Sequence, residues 1–296
     1  FPDHFFTDVL TGRRIRNHFN DWQSHISPDI VYALWLYYEA TADWDFMLDF
    51  GAEIVFEVAQ FLVSRVHLKM DKGRYELIRL LGPDEYHENV DNNAYTNTIS
   101  KFALEKAVYL FSRMVVETPK RLDLLMEKIG INRAAVNDWM DIATKIYLPK
   151  PDPDSLLIEQ CDDFFKLEKI TPNELRKRLI DPEEYWGWPN GIAVETQVLK
   201  QADLLQLFVL LDDMFSPAVM RANYDYYEPL TEHGSSLSPS VHAIVAAWAG
   251  YEDQAFQYFM EAAAIDLYNA SKKVTSGGAF LGEIHTAPAQ GLWLMI

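Results

Sequence analysis

A chain of 296 residues, about half of them apolar, is long enough to bury one large core or two ordinary ones. With 26 Lys and Arg against 44 Asp and Glu its formal charge is −18, which argues against nucleic acid or an anionic membrane as partner and favours neutral or cationic ones. The single cysteine, Cys161, excludes an internal disulfide framework and a cysteine-rich metal site and points to the cytoplasm; with no leader pattern and no run near the roughly 20 apolar residues that cross a bilayer, the chain reads as soluble.

Residues 1–27 carry turn signals and a basic cluster, Arg13, Arg14 and Arg16, and read as loop. Ser27-Pro28-Asp29 has the form of an N-cap followed by proline at the first helical position, and Ile30, Ala33, Leu34, Tyr37 and Tyr38 then recur at helical spacing. A second helix is expected over 45–65, where Ile54, Val55, Val58, Ala59, Leu62 and Val63 make a wide apolar face. Residues 66–80 alternate about Asp71-Lys72-Gly73, a hairpin signal, and the second arm runs straight into Gly82-Pro83-Asp84-Glu85.

Helical period returns over 93–115, over 120–129 with Gly130 as its stop, and over 132–147. Prolines then punctuate a long stretch, to about residue 189, whose chief helix is expected at 173–179; loops of this length are often functional. Further helices are expected at 193–212, 217–224, 239–248 and 252–268, before a glycine-rich end around Gly277-Gly278, Gly282 and Gly291. Successive helices with almost no strands predict an all-α fold, a bundle or a toroid, and no repeat or low-complexity linker forces a boundary within 1–296.

Seventeen Phe, 15 Tyr and 8 Trp could serve as platforms for sugar rings, although an aromatic at helical spacing is first of all core. A carboxyl that protonates a departing oxygen near neutral pH needs surroundings that raise its proton affinity. Glu85 follows a tight Gly-Pro-Asp turn and precedes a crowd of polar and aromatic residues: Tyr86, His87, Asn89, Asn92, Asn93, Tyr95 and Asn97. The residues alone leave a second reading open, in which Asp84 or Glu85 caps the helix that follows.

The sixteen residues Gly82-Pro83-Asp84-Glu85-Tyr86-His87-Glu88-Asn89-Val90-Asp91-Asn92-Asn93-Ala94-Tyr95-Thr96-Asn97 closely resemble the signature of glycoside hydrolase family 65, the maltose, trehalose and kojibiose phosphorylases and related hydrolases. The resemblance continues, in the family's order, through residues 25–30, 51–54, 158–160, 200–203, 226–231, 235–239 and 284–287. It implies an (α/α)6 barrel, inverting chemistry without metal or organic cofactor, a small α-glucoside as substrate, and a homodimer. By the same resemblance Glu85 is the general acid, Lys200 and Gln201 hold hydroxyls of the glucose in the cleaved subsite, and Glu228 is a further contact on the sugar or phosphate side. Ser235, Ser236 and His285, with backbone N–H groups of a glycine-rich loop, would hold inorganic phosphate as co-substrate, since a dianion needs convergent donors. His233 and His242 lie nearby in sequence and read first as structural.

Two departures from the family pattern matter. Ala287-Pro288-Ala289-Gln290-Gly291 stands where many of the phosphorylases have a Gly-Gly type loop, and Pro288 removes an N–H donor. Glu232 and Glu283 beside the phosphate site would repel phosphate; either one, or Glu228, could instead be the base that activates water, about 6.5–9.5 Å from the acid, or both could be solvated loop charges. Family members also have a β-sandwich, a linker and early barrel helices ahead of the region seen here, so the barrel is expected to be incomplete at its N-terminal side. Trp44-Asp45 has the letters of the family's glucose-gripping pair but lies elsewhere. The expected function is phosphorolysis releasing β-glucose 1-phosphate. The alternatives are an inverting hydrolase with Glu228 or Glu232 as base, and an inactive sugar-binding domain.

Overall fold

The computed structural model describes residues 6–7, 10–15, 19–182, 184–187 and 191–265. Backbone contacts group the chain into two compact units: residues 1–80 with 91–148, and residues 81–90 with 149–296. The ten residues 81–90, which include Glu85, thus belong with the C-terminal half of the chain.

In the first unit, the stretch expected as loop contains a short antiparallel pair, Phe6–Thr7 with Arg14–Ile15, and a four-residue helix, Phe19–Trp22. Helix α1 spans Ile26–Thr41 and starts one residue before Ser27, with no side-chain cap. Pro28 therefore lies inside the first turn, where a missing N–H costs nothing because the first amides have no intrahelical acceptor. The second expected helix comes in three pieces: Trp44–Phe46, a π turn Met47–Gly51, and α2, Ala52–Arg65. A Cβ on Gly51 would meet the Met47 sulfur at 2.6 Å, so any larger residue there would force the fully buried Met47 side chain to shift. The hairpin forms as expected, with His67–Lys69 paired to Arg74–Glu76 and Gly73 at φ 61° in the turn.

Three further helices complete the core of this unit with α2: α3, Ala94–Glu117; α4, Pro119–Ile129, closed by Gly130 at φ 69°; and α5, Ala135–Lys145. Phe56 of α2, Phe111 of α3 and Trp139 of α5 meet with ring centroids 5.1–6.5 Å apart. The start of α3 buries its polar residues. Asn93 Oδ1 caps the helix by accepting from both the amide and the hydroxyl of Thr96 at 2.8 Å, and Asn97 Nδ2 donates to the Tyr147 carbonyl at 2.8 Å.

The second unit has sparse regular structure up to residue 203. Helix α6, Pro172–Arg176, opens with a capping box between Thr171 and Glu174. Of the helix expected over 193–212 only α7, Leu204–Leu210, forms. Residues 196–200 bond sideways instead: Gln197 N–H donates to Glu168 O (2.9 Å), Leu199 N–H to Leu230 O (2.9 Å), and Lys200 N–H to the Asp84 carboxylate (2.9 Å). Amides engaged in this way are lost to an i−4 ladder, whatever the side-chain period says. Helices α8, Pro217–Tyr227, α9, Ser238–Trp248, and α10, Glu252–Ala264, follow near their expected places, the last as far as the described residues extend. Among the described residues no helix is long and apolar enough to cross a membrane.

Removing the cap of α3 isolates one of these local effects. Asn93→Ala is expected to lower stability by about 1 kcal/mol, read as an earlier midpoint in urea unfolding with an unchanged slope.

Candidate functional site

Glu85 is placed by its two neighbours. Asp84, 1 % exposed, accepts from the backbone N–H of Lys200 (2.9 Å), the N–H of Tyr86 (3.2 Å) and Gln160 Nε2 (3.2 Å), and its own N–H donates to Asp203 Oδ2 (3.2 Å). Tyr86 is buried against Trp186, with ring centroids 6.2 Å apart, in an apolar cluster with Leu175, Ala193 and Val198. With residues 84 and 86 both anchored inward, the Glu85 side chain between them stays about one-third exposed. Neither Asp84 nor Glu85 caps the next helix, because Asn93 does.

His87 locks the loop from below. Its Nε2 donates to the Thr196 carbonyl at 2.7 Å and its Nδ1 meets Asp84 Oδ2 at 2.6 Å, so both ring nitrogens face acceptors. Burial opposes a charge on this ring, but the charge and hydrogen bond of Asp84 and the Thr196 carbonyl outweigh it and raise the pKa of His87 above 6.5.

Lys200 and Gln201, paired by the resemblance, both reach the Glu85 loop. The buried Lys200 ammonium forms an ion pair with the Glu85 carboxylate, and the Gln201 side-chain amide donates to the Pro83 carbonyl. They can do so because they stand on irregular backbone and not on a helix. The Tyr185 hydroxyl donates to the Glu85 carbonyl at 3.3 Å and the Lys200 Nζ lies 5.9 Å from the Tyr185 ring centroid. Tyr185 was not singled out by sequence reasoning, since it lies in the proline-punctuated stretch with no motif around it. Glu88 was also passed over although it sits inside the signature, three residues after Glu85; it is 6 % exposed, and burial first, then the charges of Glu85 and Asp84, push its pKa up to about 8 against the opposing effect of Lys200.

The other expected residues have different company. Glu228 accepts from Tyr258 Oη at 2.7 Å; that hydroxyl lies 3.0 Å from His233 Nε2, and His233 Nδ1 lies 2.8 Å from Ser238 Oγ. His242 is fully buried and stacks edge-on to His233 at 4.5 Å, and burial holds its pKa down at about 4, partly opposed by a contact with the Ser238 carbonyl. Glu232, also buried, lies 3.3 Å from the Arg176 guanidinium. Ser235 and Ser236 are half-buried on the turn before α9, where Ser235 Oγ accepts from Leu237 N–H at 3.3 Å. His285, Glu283 and the 287–291 loop lie outside the described residues.

The raised pKa of His87 has a stability signature. Its imidazolium contributes fully below about pH 6.5 and the contribution is lost as pH rises through its higher folded value. The difference in thermal midpoint between the parent protein and His87→Gln is therefore expected to narrow from about pH 6 to about pH 9.

Residues 4–293 match the glycosyl hydrolase family 65 central catalytic domain. The whole chain is 48% identical to a 1,2-α-glucosylglycerol phosphorylase of Bacillus selenitireducens, covering 38% of that protein. It is 38% identical over 99% of its length to a nigerose phosphorylase of Lachnoclostridium phytofermentans, again covering 38% of the relative. It also superposes, with a TM-score of 0.76 and 30% identity over 90% of this chain and 36% of the other, on a solved structure assigned as a kojibiose phosphorylase from the human microbiome. The chain thus spans a little over a third of the length of these relatives, and the superposition bears out the all-α, (α/α)6-barrel fold class. A helical chain whose residues 4–293 match its central catalytic domain belongs to glycoside hydrolase family 65.

Proposed function

We propose that the protein carrying this chain is an inverting α-glucoside phosphorylase, with residues 1–296 lying within its catalytic barrel domain. Glu85 protonates the glycosidic oxygen as the C–O bond breaks, inorganic phosphate attacks the anomeric carbon from the opposite face, and β-glucose 1-phosphate and the freed acceptor leave. The observation that carries this reading is the Glu85 loop: a carboxyl pinned between two buried neighbours, accessible itself, and in contact with a buried lysine ammonium. Fixing a proton donor in this way is what leaving-group catalysis requires, and positioned acids contribute about 10²–10⁴-fold.

Lys200 and Gln201 are proposed to bind hydroxyls of the glucose unit, and Ser235, Ser236 and His285 to hold phosphate. Two observations favour phosphate over water as nucleophile. The similar proteins are phosphorylases by name. Glu228 and Glu232, the carboxylates that a hydrolase would need to activate water, are engaged with Tyr258 and Arg176. The proposed setting is the cytoplasm, where phosphate is available, with a small α-glucoside as substrate and no organic cofactor.

The test is to incubate the full-length protein with 2-O-α-glucosylglycerol, nigerose, kojibiose, maltose and trehalose, with and without phosphate. Cleavage of at least one glucoside is expected to depend on phosphate and to yield β-glucose 1-phosphate; equal cleavage without phosphate would overturn the phosphorylase reading. In the active protein Glu85→Gln is expected to lower kcat by about 10²–10⁴-fold while KM moves far less.

A further inference from the structure

Before it enters α9 the chain passes through His233, whose φ of 58° lies in the left-handed region that residues with a side chain rarely adopt. Such a conformation persists only where its surroundings fix it, and two sets of contacts do so here. Along the backbone, the N–H of Glu232 donates to the Leu199 carbonyl at 2.7 Å and that of Gly234 to the Lys200 carbonyl at 2.9 Å. The half-buried imidazole is met at both nitrogens, with Nε2 3.0 Å from Tyr258 Oη and Nδ1 2.8 Å from Ser238 Oγ.

These contacts have a direction. Tyr258 gives its one phenolic proton to Glu228 Oε1 at 2.7 Å, so its oxygen can only accept from His233, and Nε2 is the donor. Nδ1 then faces the Ser238 hydroxyl in the first turn of α9. Glu228 just after α8, Ser238 on α9 and Tyr258 on α10 thus converge, directly or through one another, on the ring of the residue at which the chain turns.

Ser235 and Ser236 follow at once. The Ser235 carbonyl accepts from the Ser238 N–H at 3.1 Å and its hydroxyl oxygen from the Leu237 N–H at 3.3 Å; a hydroxyl that accepts in this way still has its O–H to donate. The backbone direction at His233 decides where these hydroxyls stand, and the bond from Gly234 to the Lys200 carbonyl sets that place relative to Lys200.

We propose that His233, held by Tyr258 and through it by Glu228, is a positioning residue for the nucleophile: it fixes the turn at Ser235 and Ser236 beside the Lys200 segment, so that phosphate bound on the turn faces the glucose unit. This deepens the function proposed above and rests on its reading of Ser235 and Ser236 as phosphate-holding and Lys200 as sugar-holding. Glu228 acts here through Tyr258 and His233, as the acceptor at the end of the chain of contacts.

The experiment measures initial rates of the full-length protein, with phosphate and the cleaved glucoside varied in turn, for the parent, Tyr258→Phe, His233→Asn and the two substitutions combined. Tyr258→Phe keeps the ring and removes the hydroxyl that joins Glu228 to His233. Asn tolerates the left-handed conformation but is too short to reach Tyr258 and Ser238 together. Each single variant is expected to raise KM for phosphate about ten-fold, with KM for the glucoside within about two-fold and kcat at saturating phosphate within about three-fold of the parent. Because both residues act through one chain of contacts, the combined variant should be no worse than the worse single one. A phosphate KM within about two-fold of the parent in Tyr258→Phe would overturn the inference, and this milder change decides alone if His233→Asn does not fold. Additive effects in the combined variant would overturn it too, as would a lowered thermal midpoint with both KM values raised alike, the mark of a merely structural residue. An unchanged phosphate KM in Ser235→Ala combined with Ser236→Ala would remove phosphate from this turn, and equal cleavage by the parent without phosphate would sink the phosphorylase reading; either result takes the inference with it.

Discussion

The buried carboxylate of Asp84 is the constraint on which the site depends. It gathers the His87 ring, the backbone N–H groups of Tyr86 and Lys200 and the Gln160 amide, drawing together residues 84, 160 and 200 that no local structure relates. A carboxylate sealed from water is costly unless its lone pairs are filled, and hydrogen bonds to charged groups are worth about 1.5–3 kcal/mol each where neutral ones are worth about 1. That demand ties residues 196–201 to the loop at 84–87, and one consequence is the ion pair between Lys200 and Glu85.

The same demand explains why the backbone around Lys200 is irregular. A helix would satisfy its amides internally and present Lys200 and Gln201 on one turn with nothing obliging them to face residue 85. Here the amides of Gln197, Leu199 and Lys200 go to Glu168, Leu230 and Asp84, and the carbonyls of Leu199 and Lys200 accept from Glu232 and Gly234. The segment is thereby braced on both sides without regular structure, as binding loops on rigid scaffolds commonly are.

Glu88 is held at a local cost in stability in the same loop. Burying a carboxyl among other acids with no hydrogen-bond partner among the described residues destabilises the folded chain, while Glu76, equally buried in the first unit, is met by Lys72 at 3.1 Å and Arg74 at 2.6 Å. Functional sites are where proteins keep such local conflicts. The sixteen-residue signature is divided on the same lines. Its first part, through Val90, belongs with the site, while Asn92, Asn93 and Asn97 serve the start of α3.

Local chemistry was enough to determine the all-α class, the hairpin turning at Gly73 and the helix stop at Gly130, and to single out the loop at Glu85 as the candidate site, because periodicity, turn residues and a contiguous motif each act within a few residues of one another. Beyond that reach the sequence misleads or is silent. The apolar spacing over 193–212 reads as one helix because it reports which side chains are buried, and says nothing of where backbone amides find acceptors. Tyr185 as a neighbour of Glu85, Arg176 beside Glu232 and Tyr258 on Glu228 are contacts across 100, 56 and 30 residues. Only the tertiary structure decides such pairings, because a buried charge takes its partner from whatever the fold brings within about 3 Å, at any distance along the chain.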